Sequence, residues 1–238
     1  MRICTYNIHG GRDAENRLAL AAIGASLQAI APDLCLLQEV DRFLPRSHWE
    51  DQAARLAAHI GPGFQRYFYG RWGVGKARFG NAVLSRLPVA AVWRVPLPGG
   101  GEPRGALGVT LEDGTTAWNT HLGLRAEWRA AQLAALAEAI RGAPPETPIL
   151  LGGDFNASPE DDGLRRFLGE TGLQPLSAPE PTFPAAAPRH RIDLLLGRGW
   201  IRWDGGTAAD PGSDHCLVWS VLERAATSPP PLPRPSGA

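Results

Sequence analysis

Two rhythms of apolar residues alternate along the chain. Short apolar runs that end abruptly in polar residues predict strands, and longer stretches with an apolar residue every three or four positions predict helices. Residues 3–6 and 34–37 predict short buried strands, the first running into a Gly-Gly turn and the second ending at Gln38-Glu39. Further strands are predicted near residues 64–69, 82–85, 90–95, 106–111, 115–120, 149–151, 192–196, 200–207 and 216–222. The Asp113-Gly114 pair between two alternating runs predicts a hairpin. Helical spacing runs through Leu18, Ala22, Ile23, Leu27 and Ile30, predicting a helix over 16–30 that Pro32 punctuates. A second helix is predicted over 50–60, stopped by Gly61-Pro62-Gly63, and a third over 125–141, with Trp128, Leu133, Leu136 and Ile140 on one stripe. Arg125 and Arg129 are expected on the exposed face of that third helix.

Helices and strands interleave, but the middle of the chain is a run of meandering strands. That mixture predicts two packed sheets with helices outside, rather than a purely parallel array. The length of 238 residues suits one domain, taken here as residues 1–224. The tail 225–238 is Pro-rich, has few apolar side chains, and is expected to be a disordered extension. Formal charge balances at zero, with 24 basic and 24 acidic residues, which argues against a strongly electrostatic grip on nucleic acid. Lys76 is the only lysine, a bias that fits codon usage. Cys4, Cys35 and Cys216 lie in apolar runs, far apart and odd in number, and are read as buried hydrophobes rather than disulfides or a metal cluster. The N-terminus has no apolar signal region and no window approaches a membrane span, so a soluble, cytoplasmic monomer is expected.

The chemistry collects at the ends of the apolar runs. Asn7 follows the first, Glu39 the second, His121 ends a third, and Asp154 and Asn156 end a fourth. Asp193 opens RIDLLL, and Ser213-Asp214-His215 precedes the last strand. Taken singly, each has an ordinary structural role as turn former, helix cap or strand-edge charge. Together, acids, amides and histidines gathered at one edge would suit a hard divalent cation facing a phosphate. Mg²⁺ takes oxygen ligands and keeps several waters, whereas zinc would ask for a close His/Cys cluster that the sequence lacks.

One segment resembles a phosphate-binding loop without fitting it. GRWGVGKA, residues 70–77, has Ala77 where a hydroxyl is required, and a strand pattern follows where a helix should begin, so a loop at the cleft rim is expected instead. Arg66, Arg71, Lys76 and Arg78 interleave with Tyr67, Phe68, Tyr69 and Trp72. Such a pattern could track a nucleic-acid backbone, or could be an aromatic strand with solvated charges. No exposed aromatic hairpin of a membrane-acting enzyme is evident from the pattern.

The segments TYNIHGG, LLQEV, GNAVLSRLP, EPRGAL, NTHLG, LGGDFN, RIDLLL and SDHCLV, in this order, resemble the endonuclease/exonuclease/phosphatase superfamily of deoxyribonuclease-like enzymes. That resemblance covers the chain to about residue 222. It implies a four-layered α/β sandwich, two mixed β-sheets packed face to face and flanked by helices. It also implies a Mg²⁺-dependent hydrolase of phosphate esters, with Mn²⁺ as the substitute ion. By the same resemblance Glu39 binds the metal with Asn7 and Asp214 beside it, and Asp154 orients the attacking water with Asn156. His215 contacts the phosphate, Asp193 fixes its ring, and His121 donates to a second phosphoryl oxygen. Arg104 in EPRGAL is the looser match, a candidate phosphate contact. The superfamily includes DNA nucleases, RNA deadenylases, sphingomyelinases and inositol-polyphosphate phosphatases. The substrate is therefore a phosphate ester, with DNA and RNA among the candidates. Alternatives on the same fold are a phosphomonoesterase, a lipid phosphodiesterase and a non-catalytic phosphate-binding module.

Overall fold

A computed structural model describes residues 1–209 and 211–225; the predicted tail lies almost wholly outside the described residues. In chain order the elements are β1 (Arg2–Asn7), α1 (Leu20–Ile30), β2 (Leu34–Arg42), α2 (Gln52–Ile60), β3 (Gln65–Val74), β4 (Ala77–Ser85), β5 (Val89–Pro96), β6 (Gly105–Leu111) and β7 (Thr116–His121). There follow α3 (Ala126–Arg141), β8 (Ile149–Asp154), α4 (Asp162–Thr171), β9 (Gln174–Pro175), β10 (Asp193–Arg198), β11 (Trp200–Ala208) and β12 (Leu217–Arg224).

The strands form two mixed six-stranded sheets, ordered β11-β12-β1-β2-β4-β3 and β5-β6-β7-β8-β10-β9. Ile3, Leu34, Leu36 and Val83 of the first sheet meet Leu107, Val109, Ala117, Leu150 and Leu195 of the second in a dry central layer. The outer face of the first sheet packs on α1 and α2 through Cys4, Tyr6, Ile23, Leu27 and Leu56. The outer face of the second packs on α3 and α4 through Leu133, Leu136, Ile140, Leu164 and Phe167. Each such buried aliphatic side chain contributes about 1.5–3 kcal/mol. Helix, sheet, sheet, helix is the expected four-layered α/β sandwich, and both parallel central pairs, β1 with β2 and β7 with β8, are covered on both faces. All three cysteines are buried and free, as expected.

Four expectations need correction. The first helix begins at Leu20, not residue 16, because the Asp13 carboxylate accepts the backbone N–H groups of Glu15 and Arg17 and ties a turn there. Leu18 thereby leaves the helical stripe and stands 46% exposed. Arg129 is not on an open face: its side chain is only 12% exposed and lies near Asp161, with a donated bond to the Leu124 carbonyl. Segment 70–77 belongs to the β3–β4 hairpin, whose last paired residues are Val74 and Ala77, so it is strand-turn-strand and no phosphate loop. That hairpin does expose an aromatic, Trp72 at 50%, and Val74 at 86%. Tyr67, Phe68 and Tyr69, by contrast, are partly buried against the cores.

The fourth helix, α4, was not anticipated. Asp161 caps it by accepting from the N–H of Gly163 and Leu164, and Gly172 at φ 68° ends it. Leu164, Phe167 and Thr171 form its buried stripe; two glycines within ten residues dilute that signal.

Two buried amides join the sheets. Asn119 on β7 donates across the interface to the carbonyls of Leu37 on β2 (2.8 Å) and Ala82 on β4 (2.8 Å). Its own oxygen accepts from Gln38 Nε2 at 2.7 Å, and Gln38 also donates to Thr5 Oγ1 at 3.0 Å. Leu37 and Ala82 are the last paired residues before the β2–β4 ladder breaks and resumes at Val40–Gly80. The amides therefore satisfy main-chain groups at a bulge in an otherwise apolar interior. Replacing Asn119 with Ala removes the donor to both carbonyls and one of the acceptors of the Gln38 amide, and is expected to cost about 2–4 kcal/mol. Urea unfolding should show this as a lower midpoint at an unchanged slope.

Candidate active site

The bulge in β2 decides where Glu39 points. Its φ is +56°, a left-handed conformation unusual for a side-chain-bearing residue, and it falls within the break between Leu37 and Val40. Asn7 ends the neighbouring parallel β1, in register with Gln38. Its side-chain nitrogen donates to Glu39 Oε1 (3.0 Å) and to Asp154 Oδ2 (3.1 Å), linking the two sheets at the ends where β1 and β8 stop. The Asn7 oxygen accepts the His9 N–H at 3.1 Å, and Ser213 Oγ donates to the Asn7 carbonyl at 2.7 Å.

Asp154 ends β8 beside its register partners His121 on β7 and Asp193 on β10. The Asn156 backbone N–H holds Asp154 Oδ1 at 2.9 Å. Asp154 Oδ2 is left facing Asn7, His121 Nε2 at 3.3 Å and His215 Nε2 at 3.8 Å. The Asn156 side-chain nitrogen donates to the Leu122 carbonyl at 3.0 Å, which fixes the orientation of the amide.

His215 lies between two acids. Its Nδ1 contacts Asp193 Oδ2 at 2.9 Å, and the Thr182 hydroxyl donates to that same oxygen at 2.6 Å. The Phe183 ring packs on the imidazole with centroids 4.7 Å apart. Burial alone would depress the His215 pKa, but the charge and hydrogen bond of Asp193, then Asp154 and Asp214, outweigh it and push it up to about 10. Asp154 moves the other way from an ordinary carboxylate: burial first, then repulsion by Asp193, raise it to about 7. His121 differs again. Arg104 Nη1 sits 2.9 Å from its Nδ1 and 2.6 Å from Glu102 Oε1. A guanidinium can only donate, so His121 Nδ1 is an acceptor and its proton lies on Nε2, facing Asp154. Burial, then the Arg104 and His215 charges, hold the His121 pKa well below the usual histidine value.

Every predicted site residue is thus brought to one end of the sandwich. Asp214 is at its edge, 28% exposed, with Oδ1 3.4 Å from His9 Nδ1. Sequence reading missed Thr182 and Phe183, which hold His215 from a loop that carries no motif, and Glu102, which opens EPRGAL and holds Arg104. Asn81 was also missed, whereas Tyr69 and Arg71, two members of the basic-aromatic cluster singled out in the sequence, line the pocket shared by Glu39, Arg104 and His121.

Ligating atoms of Asp154, Asp193 and His215 lie within 4.8 Å of one another, a group that could hold a metal ion. The His215 ring already bridges those two acids, however. Glu39, Asp154, Asp193 and Asp214 are four carboxylates set against one imidazolium, and the excess negative charge with oxygen donors fits a hard cation on the Glu39 side. Asn7 in its observed orientation clamps the acids as a donor. Turning its amide over would offer Oδ1 as a ligand at the expense of the His9 bond.

The profile of the Endonuclease/Exonuclease/phosphatase family matches residues 4–215, and the chain belongs to that family. It is 30% identical over 217 residues, 82% of this chain and 83% of the other, to Uncharacterized protein YbhP of Escherichia coli (strain K12). Among solved structures it is similar to an endonuclease/exonuclease/phosphatase from Beutenbergia cavernae, with TM-score 0.79, 26% identity, and coverage of 94% of this chain and 71% of that one. The mannosyl-6-phosphatase Bt3783 of Bacteroides thetaiotaomicron shares the fold at TM-score 0.76 and 17% identity, covering 94% and 99% of the two chains.

The folded His215 pKa lies above its unfolded value of about 6.5. Its stabilisation is therefore complete below that pH and fades as pH rises through about 10. In a metal-free NMR titration His215 should remain imidazolium at pH 8, and Asp193→Asn should return its titration toward the ordinary histidine range. A neutral His215 at pH 8 in the parent protein would contradict the assignment.

Proposed function

We propose that the chain is a Mg²⁺-dependent phosphoesterase acting on phosphodiesters by in-line attack of water on phosphorus. The observation that carries this reading is Asp154 Oδ2, a base poised near neutrality and surrounded by Asn7, His121 and His215. Glu39 and Asp214, with Asn7 beside them, would hold the cation. A bound Mg²⁺ supplies neutralisation of charge on the phosphoryl oxygens.

The protein groups divide the remaining work. Asp154 accepts the proton of the attacking water, since a carboxylate raised toward neutral pH is a competent base. Asn156 positions Asp154 through its backbone N–H and offers its side-chain oxygen to the water. His215, kept protonated by Asp193, donates to a phosphoryl oxygen. His121, neutral and protonated on Nε2, donates without bringing a charge, and Arg104 sets that tautomer. Donors fixed before the reaction stabilise developing charge without reorganisation. Arg104 is then a positioning residue as well as a candidate phosphate contact.

A phosphomonoesterase built on the same residues is the second reading, and the mannosyl-6-phosphatase shows this fold in a protein so named. A non-catalytic module is disfavoured because all eight catalytic and metal positions carry the expected residue types and converge.

Turnover of bis-p-nitrophenyl phosphate should require Mg²⁺ or Mn²⁺, vanish with chelator and return on re-addition. It should exceed turnover of p-nitrophenyl phosphate. Asp154→Ala and His215→Ala should each lower kcat by about 10²–10⁴-fold with little change in KM. Near-normal activity in either variant would refute the roles.

A further inference from the structure

Exposed large apolar side chains are unevenly distributed over the molecule. Five of the eight among the described residues, Trp49 (64% exposed), Trp72 (50%), Val74 (86%), Leu124 (73%) and Leu18 (46%), sit on loops or on the β3–β4 hairpin at the end of the strands that carries the site, and the other three, Trp93, Ile201 and Trp203, lie on β5 and β11. Topology places them there. Leu18 is on the loop that leaves β1 after Asn7, and Trp49 is on the segment that leaves β2 after Glu39. Leu124 comes three residues after His121 at the end of β7. The end of the β3–β4 hairpin, with Trp72 and Val74 on β3, lies at the same end, because Arg78 on β4 pairs with Arg42 at the end of β2. The base of that hairpin reaches into the site, where Tyr69 and Arg71 line the pocket beside Arg104 and His121.

We propose that this rim docks the catalytic mouth on an anionic phospholipid bilayer, so that the phosphate ester is taken from a lipid–water interface. The choice of partner rests on shape and charge. Val74 is the most exposed apolar side chain of the rim, and it sits at the hairpin tip between Gly73 and Gly75. An aliphatic side chain has no face on which to stack a base, so single-stranded nucleic acid gains nothing from it. It does gain by entering an acyl boundary, with Trp72 suited to the headgroup level beside it. Arg71 and Lys76 flank the pair, and neither has an acidic partner within ion-pair distance among the described residues. Arg71 donates to the Arg104 carbonyl and packs over the Tyr69 ring without losing its charge, and cations without an acidic partner beside an apolar tip match an anionic headgroup layer. No helix among the described residues is long and apolar enough to cross a membrane, so contact would be peripheral.

The substrate part of this inference rests on the phosphoesterase reading, whereas the docking part is measurable without it. Flotation with phosphatidylcholine vesicles, with and without phosphatidylglycerol, is run on the full chain in the presence of chelator. The chain should float with the phosphatidylglycerol vesicles and much less with pure phosphatidylcholine. Trp72→Ser/Val74→Ser should weaken that partitioning by about tenfold or more while bis-p-nitrophenyl phosphate turnover with Mg²⁺ stays unchanged, which also shows that the variant folds. Trp203→Ser, an exposed residue (68%) nearer the opposite end of its sheet, should leave partitioning unaltered. Failure of the parent protein to float, or equal flotation of the double variant, would overturn the docking surface. Tighter binding of a single-stranded oligonucleotide, lost in the double variant, would overturn it in favour of nucleic acid. Loss of turnover in the parent chain with flotation intact would count against the phosphoesterase reading alone.

Discussion

Two polar crosslinks between the sheets govern the site. Asn119 and Gln38 tie β7 to β2 and β4 in the dry interior, and Asn7 ties Glu39 to Asp154 at the catalytic ends. Burial of Leu, Ile and Val side chains holds the two sheets together, but the hydrophobic effect is non-directional and names no particular partner for any residue. Buried amides are not indifferent: each requires a particular partner in a particular place. The inner pair fixes the offset of the sheets, and the outer amide exploits it by joining carboxylates contributed by different sheets.

Assembling acids in this way is electrostatically unfavourable, and the consequences differ from residue to residue. Asp193 is compensated by contact with the His215 ring and by the hydrogen bond it accepts from the Thr182 hydroxyl. Asp154, with less compensation, is raised toward neutrality by burial and by Asp193. The two histidines are driven apart, His215 upward by acids and His121 downward by burial and a guanidinium. Two imidazoles of equal intrinsic acidity thereby become a cationic donor and a neutral one, which is how a single fold arranges distinct roles from repeated residue types.

Much of this was legible in the sequence for a physical reason. Residues such as Asn7, Glu39, Asp154 and His215 interrupt or terminate apolar runs, and strand ends on one edge converge. What escaped reading depends on three-dimensional context. Thr182 and Phe183 act from a loop with no period, and Glu102 acts only through Arg104. The start of α1 was misplaced because a local Asp13 turn outcompeted an apolar spacing that continued through Leu18. The helix α4 was hidden by Gly163 and Gly169, although Asp161 and Gly172 mark its ends. The exposure of Trp72 and Val74 could not be read from alternation, since Trp72 lies on the edge strand β3 and the Val74–Ala77 pair extends past the end of β2.

The central claim is that carboxylates and imidazoles from both sheets surround one cation position. Mn²⁺ titration followed by NMR tests it most directly, because paramagnetic broadening reports distance from the ion. The account predicts selective broadening of Asn7, Glu39, Asp154 and Asp214 together at low ion concentration, lost on Glu39→Gln. Broadening confined to other surfaces, or unchanged by that substitution, would contradict it.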